Sequence, residues 1–234
     1  MTALSGVVMD LCFSTHLANQ AEKDAAPNLT LRGFDFIDRL KSQLEAECPG
    51  VVSCADIIAL AARDSIVTTG GPFWRVPTGR RDGVISRLLE AQNNIPPPFG
   101  NFTTLQTLFA NHGLDLKDLV LLSGAHTIGV SHCSSFSNRL YNFTGVGDQD
   151  PAFGHRKTFD LSYYTLVLKR RGLFESDAAL LTNSVTSSLI TQLLQGSVEN
   201  FFVEFAKSVE KMGRINVKTG SQGEIRKQCA FVNS

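Results

Sequence analysis

Residues 54–68 read Cys-Ala-Asp-Ile-Ile-Ala-Leu-Ala-Ala-Arg-Asp-Ser-Ile-Val-Thr, and Thr-Gly-Gly-Pro follows at 69–72. Small and apolar side chains on several faces suit a helix buried on more than one side, and Gly70-Gly71-Pro72 stops it. A central helix over 54–68 is expected. Upstream, Phe34, Ile37, Leu40 and Leu44 recur at helical spacing until Pro49-Gly50, which predicts an amphipathic helix. Downstream, Phe73–Pro77 and Gly-Arg-Arg-Asp-Gly (79–83) suit short extended or turn segments, and Ile95-Pro-Pro-Pro-Phe99 an extended loop. Further helices are predicted over 103–112 (closed by Gly113), 115–122, 131–140, 160–170 (closed by Gly172), 185–195 and 198–212. With no alternating strand series and no internal repeat, the fold class expected is all-α.

Composition narrows the function. The 234 residues are 43% apolar and 19% charged, enough for a sizeable core. Twenty-two basic and twenty-two acidic residues cancel, which argues against a nucleic-acid or membrane surface and for a small-molecule partner. No apolar stretch approaches the roughly 18 residues of a spanning helix, and residues 1–20 show no basic start before an apolar core, so no signal peptide is read there. Cys12, Cys48, Cys54, Cys133 and Cys229 contain no Cys-x-x-Cys pair, so structural disulfides are favoured over a zinc site, with an odd thiol left over. Sequons at Asn28, Asn101 and Asn142 fit a secretory protein.

Among the histidines at 16, 112, 126, 132 and 155, four read as ordinary surface or core residues. His126 differs. It lies in Ser-Gly-Ala-His-Thr-Ile-Gly (123–129), where small neighbours would let a flat, bulky group approach the imidazole. Neutral imidazole is a common haem ligand.

The Gly-Ala-His-Thr-Ile-Gly stretch resembles the proximal haem motif of class III plant peroxidases. Matching segments in family order are Ala-Glu-Lys-Asp (21–24), Val-Val-Ser-Cys-Ala-Asp-Ile (51–57), Gly-Arg-Arg-Asp-Gly (79–83), Asn-Arg-Leu-Tyr-Asn-Phe (138–143) and Gly-Ser-Gln-Gly-Glu-Ile-Arg-Lys-Gln-Cys (220–229). The resemblance implies an all-α haem peroxidase fold, with haem b between distal and proximal lobes, in a single domain over 21–234. It implies oxidation of small phenolic donors by hydrogen peroxide, in a secreted monomer with no nucleic-acid or membrane partner. His126 matches the axial haem ligand and Asp177 the proximal aspartate that accepts the other ring N–H; without the resemblance Asp177 reads as a solvated or capping residue. Pro96 matches the substrate-contacting position, although a rigid loop explains it equally. Asn28 matches the asparagine that orients the distal histidine, and Glu22 the glutamate that links the distal network to calcium.

The same resemblance exposes departures. The distal histidine and arginine belong before Ala21, where residues 1–20 resemble nothing in the family and are expected to be a non-family segment that leaves the distal lobe incomplete. Back-translating residues 1–14 and reading from the third nucleotide of the start codon permits Asp-Cys-Phe-Val-Arg-Gly-Cys-Asp-Gly-Ser-Val-Leu-Leu, the family's distal motif. An out-of-frame reading of residues 1 to about 18 is therefore expected, with Cys12 its artefact. After Asp150-Pro-Ala-Phe-Gly-His-Arg, about two dozen family residues are missing before Thr158. Thr127 and Asp160 match calcium ligands, but six to eight oxygens are needed; the proximal calcium site is expected to be incomplete and the distal one largely absent. Cys54 and Cys229 match a family disulfide; Cys48 and Cys133 match cysteines whose partners are missing. The alternative function is a haem-binding remnant without turnover, and a third is a helical interaction protein without haem.

Overall fold

The computed structural model describes residues 21–132, 135–136 and 158–233. Expectations for residues 1–20, His16, Cys133, most of 131–140, Asn142 and His155 fall outside the described residues.

Nine α-helices carry the described chain: α1 (Phe34–Glu47), α2 (Cys54–Thr68), α3 (Leu88–Asn94), α4 (Phe102–Asn111), α5 (Leu116–Ser123), α6 (Ser162–Leu168), α7 (Glu175–Ala179), α8 (Ser184–Gln195) and α9 (Val198–Met212). Short 3-10 turns stand at Glu22–Asp24, Asn28–Thr30 and Gly124–Thr127. Isolated antiparallel bridges, Arg81 to Lys218 and Asp82 to Glu224, are the β pairing among the described residues. The all-α expectation holds. Helices α2 and α9 have the predicted limits. Helix α6 is shorter than 160–170, and the residue that turns the chain left-handed after it is Arg170 (φ 59°), not Gly172. Helices α3 and α7 were not predicted.

Two compact units divide these elements. The first takes Ile66–Pro72 and Pro96–Ser208. Here side-chain caps start the helices: Asn101 Oδ1 accepts the Thr104 amide (2.9 Å), and Asp115 and Asp118 form a reciprocal box at the start of α5. Asp118 also accepts from the Ser208 hydroxyl (2.8 Å). Phe159, Phe201 and Phe205 are fully buried and in mutual ring contact: Phe159 stacks on Phe201 at 5.6 Å with 8° between planes, and Phe205 stands edge-on to Phe159 at 4.7 Å.

The second unit holds Phe73–Ile95 and the described residues before Ile66 and after Ser208. Cys54 and Cys229 are joined by a disulfide there, packed against Ile37. Asp82 accepts the amides of Cys54 (3.1 Å), Ala55 (2.8 Å) and Arg226 (2.9 Å), so one carboxylate caps α2 and anchors the C-terminal segment. The guanidinium of fully buried Arg226 donates to the carbonyls of Gly83 and Cys229. Helix α3 packs on the Glu22–Asp24 turn, with Ala25, Ala91 and Ile95 forming a small core.

Candidate active site

Helix α5 delivers the key histidine. Its capping box fixes the start, Leu119, Val120 and Leu121 bury its core face, and the chain tightens after Ser123 into the Gly124–Thr127 turn that carries His126. Gly124 also has a packing reason to be small. A Cβ there would meet the Tyr164 hydroxyl at 2.5 Å and the Phe201 ring at 3.0 Å, so the glycine serves packing within the unit.

His126 Nδ1 lies 2.7 Å from Asp177 Oδ1, and the ring nitrogen that faces a carboxylate carries the proton. Nε2 has no hydrogen-bond partner among the described residues. The side chain keeps 28% of its surface exposed, whereas that of Asp177 keeps 2%. The rings of Tyr163 and Phe174 stand edge-on to the imidazole, with centroids 5.7 and 5.2 Å away. The arrangement holds one imidazole nitrogen in a fixed tautomer and leaves the other as a donor for a metal ion.

Asp177 serves its own helix too. Its Oδ2 accepts the Phe174 amide (2.8 Å) at the start of α7, so the capping role coexists with the histidine contact. Its Oδ1 also accepts from the Tyr163 hydroxyl (2.9 Å). Burial pushes the Tyr163 phenol well above its usual range, and the neighbouring charge of Asp177 adds to the shift, so Tyr163 stays a donor. Nothing in the sequence separates Tyr163 from Tyr164, which fall side by side in one predicted helix; the hydroxyl partners tell them apart.

The remaining expected residues fall in separate places. Pro96 lies in the loop after α3, and that loop is tied to α7 by the Ser176 amide donating to the Pro98 carbonyl (2.9 Å). Thr127 donates to Asp160 Oδ1 (2.8 Å), which also takes the Ser162 amide (2.8 Å) and the Ser162 hydroxyl. These oxygens gather but satisfy one another, and one carboxylate with two hydroxyls falls short of a calcium shell. Among the described residues no cluster of three or more His, Cys, Asp or Glu could hold a metal ion.

In the second unit, Asn28 Nδ2 donates to the Glu22 carbonyl (2.7 Å), which brings those two residues together. Asn28 is 1% exposed, so the folded chain does not offer it as a glycan acceptor despite its sequon. Its Oδ1 is buried and accepts from no group among the described residues. Leaving such an oxygen unsatisfied costs about 1–3 kcal/mol. Cys48 is half-buried and has no disulfide partner among the described residues. No described helix is long and apolar enough to cross a membrane.

The chain is all-α, as expected of a peroxidase, and it brings a histidine into contact with a buried carboxylate. The family model described as Peroxidase matches residues 6–196, a span that begins within the segment read as foreign to the family. Peroxidase 39 of Arabidopsis thaliana is 64% identical over 247 residues, covering 94% of this chain and 76% of the relative. Peroxidase 3 of the same plant is 66% identical over 244 residues (93% and 75%), and Peroxidase 1 of Oryza sativa subsp. japonica 50% over 243 (91% and 74%). The chain belongs to the class III plant peroxidases. It is an oxidoreductase by that membership, and the chemistry of the family is haem-dependent oxidation of donors by hydrogen peroxide, with calcium as a structural ion.

Proposed function

We propose that this chain is a secreted, monomeric haem peroxidase for small phenolic donors, with His126 as axial ligand of haem b and Asp177 fixing its tautomer. The observation that carries the reading is the 2.7 Å contact between His126 Nδ1 and Asp177, with Nε2 left without a partner among the described residues. The donor set fits haem iron: a neutral imidazole, oriented by a buried carboxylate, is basic enough to support an oxidised metal. Bound haem would supply the two-electron reduction of peroxide and the return to rest by two successive one-electron oxidations of donor molecules. The chain's own part is to hold Nε2 toward the iron, keep the Nδ1–H donated to Asp177, and present Pro96 on the donor side. The peroxidase domain is taken to run from Ala21, with Glu22 and Asn28 as the remaining distal network.

A second reading is a haem-binding chain without turnover. The buried, unsatisfied Asn28 Oδ1 favours it, because that oxygen is placed to accept an N–H that no described residue supplies. Peroxide cleavage needs a base to move a proton between its oxygens and a cation to stabilise the developing charge. The resemblance assigns both to positions upstream of Ala21, outside the described residues. The relatives also align over 247 and 244 residues while covering 93–94% of 234, so gaps of about two dozen positions open in this chain; this supports the deletion after Arg156.

Titrating the refolded chain with hemin tests both readings. An axial-imidazole spectrum that is lost in His126→Ala supports the ligand role; no Soret shift sinks it and favours a helical protein without haem. Guaiacol oxidation well above free hemin supports the peroxidase, and background turnover on a haem-loaded chain supports the second reading.

A further inference from the structure

Asp177 takes three hydrogen bonds, and two of them fall on one oxygen. Oδ2 accepts the Phe174 amide (2.8 Å), while Oδ1 accepts from His126 Nδ1 (2.7 Å) and from the Tyr163 hydroxyl (2.9 Å). Two donors on one carboxylate oxygen compete, because each draws the electron density that would strengthen the other. With Tyr163 5% exposed and Asp177 2%, little water screens that competition.

We propose that Tyr163 is a positioning residue of the peroxidase site: its hydroxyl, bonded to the same Asp177 oxygen as His126, limits the charge that the carboxylate lends to the imidazole and so sets the ligand strength of Nε2. The inference rests on the reading of His126 as haem ligand.

A buried phenol needs some partner, so the contact by itself could be no more than satisfaction of a polar group. Tyr164 supplies the comparison. It is equally buried, the next residue in α6, and its hydroxyl is satisfied by the Val120 carbonyl (3.0 Å) without touching the histidine pair. The Tyr163 hydroxyl goes to the carboxylate while its ring stands at 85° to the imidazole, so one side chain braces both members of the pair. Outer-shell hydrogen bonding is a recognised means of tuning a haem iron.

The test uses the hemin-reconstituted full chain and reads the ferrous iron–imidazole stretching band and the ferric/ferrous midpoint potential. In Tyr163→Phe, Asp177 Oδ1 is left to His126 alone. The band is expected to rise, and the ferric state to gain roughly threefold to tenfold, a potential lower by about 30–60 mV for one electron. Tyr164→Phe is expected to leave both unchanged. An unmoved band and potential in Tyr163→Phe overturn the inference, as does an equal shift in Tyr164→Phe, which would mark a packing effect. If Tyr163→Phe fails to fold, the Tyr164→Phe chain made with 3-fluorotyrosine tests the same bond. A more acidic phenol donates more strongly, so the band should fall, and an unmoved band again overturns the inference. A parent chain that binds hemin with no iron–imidazole band overturns the ligand reading and this inference together, whereas an unmoved band in the variant overturns this inference alone.

Discussion

Gly172 stands directly against Asp177: a Cβ built on the glycine would lie 2.6 Å from the Cβ of the aspartate. Real Cβ atoms do not approach so closely, so Gly172→Ala must displace α7 or the segment before it. The backbone at Gly172 is not left-handed, and the effect is therefore steric. Overpacking of this kind costs about 1–3 kcal/mol. Because Asp177 holds Nδ1 of His126, hemin affinity should fall as well, by roughly tenfold. Thermal denaturation and hemin titration check the two effects, and a variant with unchanged affinity would show that the pair tolerates the displacement.

Alkaline stability should depend on Tyr164. Burial holds its phenol protonated well above the usual value near 10.0, while the unfolded chain ionises close to that value. Its contribution is thus fully present below about pH 10 and is lost as the pH rises above it, because only the unfolded state gives up the proton readily. Urea denaturation between pH 8 and pH 11 should show parent stability flat and then falling, with a shallower fall in Tyr164→Phe. Equal slopes would assign the alkaline loss to other groups.

The parts of this molecule that could be read from sequence are those with long periodic signals. Residues 54–68 and 198–212 carry apolar side chains over four turns and end as expected. Leu88–Asn94 and Glu175–Ala179 are too short for periodicity to appear, and their positions are set by packing and by the Asp177 cap. Gly172 looks like a helix stop, yet its constraint is an aspartate five residues onward. At the site, His126 and Asp177 were legible through a motif, whereas Tyr163 was hidden because one tyrosine of an adjacent pair looks like the other until the hydroxyl partners are known.

Cys54 and Cys229 close a loop with a sequence separation of 175, and the chain-entropy model puts the loss from opening it near 5 kcal/mol. Measured losses run from about 2 to 5 kcal/mol. The lower end is expected here, since Asp82 still ties the Arg226 amide to the start of α2 when the bridge is gone. Cys54→Ala/Cys229→Ala should therefore fold with a reduced urea midpoint. Adding Asp82→Ala should cost more than the separate losses combined, because the bridge and the carboxylate are alternative anchors for one segment. Simple additivity would refute that coupling.

The ion pair of Asp56 and Arg80 gives a prediction in which the double variant is milder than the single one. Both side chains are more than nine-tenths buried, at 3.1 Å, and Asp56 also takes the amides of Gly79 and Arg80. Arg80 donates further to the carbonyls of Pro77 and Gly213, but its Nε is buried with no partner among the described residues. The pair is consequently dehydrated and incompletely satisfied, a state in which the attraction barely repays the desolvation. Asp56→Ala leaves a buried guanidinium without its counter-charge and should lose about 3–5 kcal/mol. Replacing both, as Asp56→Leu/Arg80→Met, removes the stranded charge and restores apolar volume, so it should recover at least half of that loss. Chemical denaturation of the two variants beside the parent decides it: a double variant no more stable than Asp56→Ala would mean that the backbone bonds to Asp56, and not the charge pair, hold the 79–83 turn in place.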